Sequence, residues 1–115
     1  MKPMFDNNHD LSEESLKVIE TWRPNFDAAR PWNDLFAFIK SAWNLDFGKI
    51  FETSADNGET LIVFVTGGWS SNEEIIDAMQ ENALLRIMRW YSSERGGLHK
   101  YILLDARETN TKDWF

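Results

Sequence analysis

Residues 60–66 read TLIVFVT, and residues 67–76 continue GGWSSNEEII. The first stretch is rich in β-branched residues and apolar at both odd and even positions. That is the composition of a central strand covered on both faces. Gly67-Gly68 then breaks it, because glycine tolerates the positive φ of a sharp turn. Ser70 or Ser71 can cap a helix that follows, and Glu73 and Glu74 fall in its first turn, where the helix dipole favours negative charge.

Downstream, apolar residues at helical spacing extend this helix to about Glu94, where Gly96-Gly97 is a natural stop. Residues 99–105 (HKYILLD) then read as a last strand. A helix of that length separates Gly67 from Gly97 by on the order of 35 to 40 Å. Upstream, residues 47–53 read as a strand with Phe47, Lys49, Phe51 and Thr53 on one side and Gly48, Ile50 and Glu52 on the other. Asp56-Asn57-Gly58 between the two strands is hairpin-turn chemistry. Further back, Pro31 suits the first position of a helix carrying Trp32, Leu35, Phe36, Ile39 and Trp43, with Asn44 as its stop. A first helix, capped by Asp10 with Glu13 or by Ser12, carries Leu16, Ile19 and Trp22 and ends before Pro24.

The expected architecture is a single small α+β domain over residues 11–105, in the order α-α-β-β-α-β. Its sheet is three-stranded and mixed and is packed by helices, with the last strand parallel to the second through a right-handed crossover. Residues 1–10 read as a flexible N-terminus and 106–115 as a polar tail ending in Trp114-Phe115.

Composition narrows the function classes. The chain has 115 residues, 43% hydrophobic and 14% aromatic, which suits one globular domain. Its six tryptophans and eight phenylalanines are many for so short a chain; most are expected to fill the core, with one or two tryptophans left for a recognition surface. The net charge of −7 disfavours nucleic acid and anionic membrane as partners. With no cysteine there is no disulfide, thiolate chemistry or cysteine metal site, which suits a cytoplasmic setting. Neither a signal peptide nor a membrane-spanning run is evident.

The turn Gly67-Gly68-Trp69-Ser70 is the sharpest chemical feature. Free N–H groups at a helix start receive anions, and Ser70, Ser71 and Asn72 add donors. The turn is neither a P-loop nor a dinucleotide fingerprint, because it lacks a Lys-Ser/Thr after the second glycine and the three-glycine spacing. A tight strand-to-helix turn with a serine cap is the simpler reading of it.

The helix that follows is apolar nearly all round from Ala83 to Tyr91 (ALLRIMRWY). Ile75, Ile76, Met79, Ala83, Ile87 and Trp90 form the expected core stripe. Leu84, Met88 and Tyr91 form a spare apolar face that leaves room for a protein partner or a homodimer. Between them runs a polar seam of Asn82, Arg86, Arg89 and Ser93. Arg86 lies beside the stripe and calls for a carboxylate, with Asp46, Glu52 or Asp105 as candidates. Alternatively Arg86 and Arg89, with Trp69, Trp90 and Arg95 nearby, grip an anionic ligand or a partner's acidic side chain.

No catalytic set emerges. The helix length places Ser70 and His99 too far apart for a triad. Two histidines without cysteines make a transition-metal site unattractive. Glu73 and Asp77 share a helix face, as solvated helix acids commonly do. No cofactor is implied.

The words TGGWSSNEEII and RIMRWYSSERGGLHKYIL resemble a pattern shared by small bacteriophage and prophage proteins. The pattern has a Gly-Gly-Trp-Ser turn, Asn-Glu-Glu, a tryptophan-bearing helix, Arg-Gly-Gly-His and an aromatic strand. It covers residues 66–103, with Leu98 inserted between Gly97 and His99. The resemblance implies a phage or mobile-element origin, and hence the host cytoplasm, and brings no activity with it. The expected function is that of a non-enzymatic accessory protein binding a host or phage protein. Alternatives are a nucleotide or other small-anion binder using the glycine loop and the arginine seam, and, more remotely, a hydrolase using Glu73, Asp77 and a divalent ion.

Overall fold

A computed structural model describes residues 2–6 and 10–109. Nine elements follow one another: α1 (Glu13–Thr21), α2 (Asn33–Ala42), β1 (Lys49–Ser54), β2 (Thr60–Val65), α3 (Ser70–Glu81), α4 (Ala83–Arg89), β3 (Trp90–Glu94), β4 (Leu98–Leu104) and α5 (Ala106–Thr109). The fold is α+β, but the sheet has four strands in the order β1-β2-β4-β3, all antiparallel. This corrects the expected three-stranded mixed sheet and its parallel last strand.

The cause lies at Asn82. The helix expected to run to Glu94 ends at Glu81. Asn82 Oδ1 accepts from Leu85 N–H (3.1 Å) and so caps a second, short helix. Its Nδ2 donates to the carbonyls of Ile19 (2.9 Å) and Trp22 (3.1 Å), which anchors the break to the end of α1. Residues 90–94 then extend instead of coiling and pair with β4 through the turn at Arg95-Gly96-Gly97. The glycine pair is a hairpin turn, not a helix stop. The extra strand reverses the chain once more, so β4 lies antiparallel to β2 and not parallel to it.

β2 is central, as its composition requires, and Leu61, Ile62, Val63 and Phe64 are all buried. Register aligns Ile50 with Phe64 and Ile62 with Tyr101, and this face meets the helices. Phe64 packs against Trp43 (5.2 Å between ring centroids), Phe36 (6.4 Å) and Tyr101 (6.1 Å), the aromatic centre of the core. Ile19, Leu35, Ile39, Ile75, Met79 and Leu85 complete it.

Boundaries differ in detail. Ser12 caps α1 by accepting from Ser15 N–H, so Asp10 does not. α2 starts at Asn33, two residues after Pro31, because Arg30–Trp32 form a turn closed by Asn33 N–H on the Arg30 carbonyl (3.2 Å). Its C-cap is Trp43. The first strand begins at Lys49, because Gly48 N–H is held in a turn by the Asn44 carbonyl (3.0 Å). Residues 106–109, read as the start of a tail, form a helical turn. Glu108 and Asp105 close it reciprocally, each side chain accepting from the other's backbone N–H (2.8 and 2.7 Å). Trp114-Phe115 lie outside the described residues.

Candidate functional site

The Gly67-Gly68-Trp69-Ser70 turn is built by its neighbours. Gly67 has φ +65°, and a Cβ there would lie 1.7 Å from the Phe47 carbonyl oxygen, so only glycine fits. Trp69 stacks on Phe47 at 4.4 Å between centroids, 9° from parallel. Asn72 is fully buried. Its Oδ1 accepts from Asn44 N–H (2.8 Å), and its Nδ2 donates to the carbonyls of Asn44 (3.1 Å) and Thr66 (3.2 Å). Asn72 is therefore a clasp joining three segments, not a donor to a ligand.

No serine caps α3. Its N-cap is Trp69, Ser70 is its exposed first residue, and Ser71 is buried. The N–H groups of Gly68 and Trp69 are engaged by the Thr66 hydroxyl (3.3 Å) and carbonyl (3.2 Å). These two bonds close the turn itself, ahead of the first helical residues.

The arginine seam divides. Arg89 is buried and pairs with Glu108 at 3.0 Å; both side chains are under 10% exposed. It also donates to the Ile102 and Leu103 carbonyls (3.3 and 3.4 Å) and lies 5.9 Å over the Trp32 ring. That is a closed internal cation site. Arg86 is exposed and donates to the Gln80 carbonyl, not to Asp46, Glu52 or Asp105. Arg95 stands exposed in the β3–β4 turn. These arginines and the glycine loop do not assemble into one pocket.

The buried face of α3 and α4 runs through Asn72, Ile75, Met79, Asn82, Leu85 and Arg89. Ile75, Ile76 and Met79 of the expected stripe are buried, but two asparagines and an arginine take the remaining core positions of this face, and Ala83 is exposed. Ile87 and Trp90, expected in the core, lie outside it. Ile87 is 77% exposed, Met88 42%, Trp90 42% and Tyr91 45%. These four lie in the α4–β3 junction segment at an edge of the sheet, since among the described residues β3 pairs with β4 alone.

Below this junction lies a polar relay that sequence reasoning missed. Trp90 Nε1 donates to Ser93 Oγ (3.1 Å), which is 2.8 Å from His99 Nδ1. Burial holds the His99 pKa below its ordinary 6.5, while Asp77 and Glu73 pull it back up. Burial thus favours the neutral ring, whose tautomer decides whether Ser93 Oγ or His99 Nδ1 donates in their contact. Burial likewise pushes the Tyr101 hydroxyl far up, opposed by a hydrogen bond from Gln80 (2.6 Å) and by the Arg86 charge.

The expected 35–40 Å separation of Gly67 and Gly97 is overturned. Thr66 N–H donates to the Gly97 carbonyl (2.9 Å), so both glycine turns lie at the same end of the sheet. The group bonded to His99 is Ser93, not Ser70. Among the described residues, no group of three or more His, Cys, Asp or Glu could hold a metal, and no helix is long and apolar enough to cross a membrane. Compared with family models, curated proteins and solved structures, the chain matches none.

Proposed function

We propose that this chain is a non-enzymatic accessory protein, of phage type, that binds a protein partner through the α4–β3 junction. The observation that carries this reading is that Ile87, Met88, Trp90 and Tyr91, four large apolar residues within a run of five positions, are all exposed. Large apolar groups clustered on a surface mark interaction sites, and tryptophan and tyrosine supply anchor energy there. Among the described residues no strand pairs with the outer edge of β3, which suits the addition of a strand beside it. Arg86, exposed on the helix beside this patch, offers a cation to a partner's acidic group. The phage-like sequence words support a host or phage protein as the partner and the host cytoplasm as its setting.

The test is affinity capture from bacterial host lysate with wild type and with an Ile87→Ser/Trp90→Ala variant. Loss of anchors costs roughly 2 kcal/mol or more each, enough to deplete captured partner more than tenfold. Unchanged capture by a variant with wild-type circular dichroism and Tm refutes the surface. Sedimentation of the wild type alone separates a foreign partner from a second copy.

A further inference from the structure

α1 and α3 pack side by side, and a groove of about 420 Å³ opens between them on the outer surface. Leu16 and Ala78 form its apolar floor. The sequence builds its two walls alike. Glu13, Leu16, Lys17 and Glu20 on α1 follow the spacing i, i+3, i+4, i+7, and Glu74, Asp77, Ala78 and Glu81 on α3 repeat it. That spacing puts each set on a single helix face.

The rim is strongly one-signed. Five carboxylates face one ammonium, and Lys17 is bonded only loosely to Glu20 (4.0 Å). Among the described residues, no cation pairs with Glu13, Glu74, Asp77 or Glu81. Carboxylates of one sign around an apolar floor set up a negative potential that draws a cationic partner. The facing walls span about 10 Å along the helices, two turns of a third helix.

We propose that this groove docks a basic amphipathic helix of another protein, its apolar residue on Leu16 and Ala78 and its lysines or arginines on the acidic rim. The mode is helix-in-groove recognition with electrostatic steering. It is a second surface, separate in residues from the α4–β3 junction.

The probe is a fluorescein-labelled amphipathic peptide of about 12 residues, with leucines at i, i+3 and i+4 and lysines elsewhere. It is titrated against the full chain by anisotropy at about 0.05 M and about 0.5 M salt. Wild type binds at low salt and weakens at high salt. Glu74→Lys/Asp77→Lys lowers affinity at least about tenfold, whereas Asp46→Lys/Asp56→Lys, which removes the same charge elsewhere, changes it less than about threefold. Glu74→Gln/Asp77→Asn falls between, and Ile87→Ser binds as wild type does. The proposal is overturned if the two charge reversals act alike, if a scrambled peptide of identical composition binds equally well, or if Ile87→Ser abolishes binding. Circular dichroism of each variant shows that the folded chain is being compared.

Discussion

Removing the carboxylate at Glu108 isolates the guanidinium of Arg89 inside the protein. The pair is 3.0 Å apart, with side chains 7% and 3% exposed. The two carbonyl contacts of Arg89 are long, at 3.3 and 3.4 Å, and carry no charge to offset it. A buried pair broken on one side costs about 3–5 kcal/mol, because the remaining charge stays desolvated. Glu108→Ala also removes the acceptor of Asp105 N–H, worth about 1 kcal/mol. Against a total stability of about 5–15 kcal/mol, this loss is severe. Urea unfolding followed by tryptophan fluorescence reads it directly. With a slope of about 2 kcal/mol per molar, the midpoint falls by about 2–3 M. Glu108→Gln keeps the cap acceptor and loses only the charge, so it falls less. The double variant Arg89→Met/Glu108→Ala is milder than the two single losses added, by about 1–3 kcal/mol, because no charge is stranded. A midpoint lowered by less than about 0.5 M in Glu108→Ala, at an unchanged slope, refutes the closed cation site.

Asn72→Ala removes three hydrogen bonds and leaves the part-buried Asn44 N–H unpaired, while the Asn44 and Thr66 carbonyls keep the N–H groups of Gly48 and Trp69, so it costs about 2–4 kcal/mol in the same assay. Gly67→Ala meets the Phe47 carbonyl and a positive φ, whereas Gly68→Ala meets open space at φ +73°. The second costs about 1–2 kcal/mol and the first clearly more, measured as the difference in Tm. His99 carries a pH signature. Its folded pKa lies below the unfolded 6.5, so the unfolded state takes up the proton first. The stability it contributes is complete above pH 6.5 and is lost as pH falls from 6.5 towards the folded pKa. Tm measured across this window declines in wild type, and the decline is smaller in His99→Gln.

Some of the site was legible and some was not, for identifiable reasons. The turn at Gly67 was visible because glycine followed a β-branched run, yet the need for that glycine comes from Phe47, twenty residues earlier. Arg89 and Arg86 look equivalent on a helical wheel. One faces Glu108 across the end of the sheet and the other faces solvent, and no local pattern distinguishes them. The β3–β4 hairpin did leave a signal. WYSSE and LHKYILL flank Arg95-Gly96-Gly97 in a way that suits two strands and a glycine turn. Helical spacing through residues 83–91 masked it.

By itself the sequence determined what local chemistry can dictate: a single α+β domain, a doubly buried β2, amphipathic α1 and α2, and a break in the chain at Gly67-Gly68. These follow from propensity and from the period of apolar residues, which need no distant partner. The tertiary structure alone decided where α3 ends, how many strands the sheet has and which way β4 runs. Those choices turn on Asn82, whose amide reaches the Ile19 and Trp22 carbonyls some sixty positions away. A hydrogen bond between distant segments leaves no periodic trace, so it becomes visible only once the chain is folded.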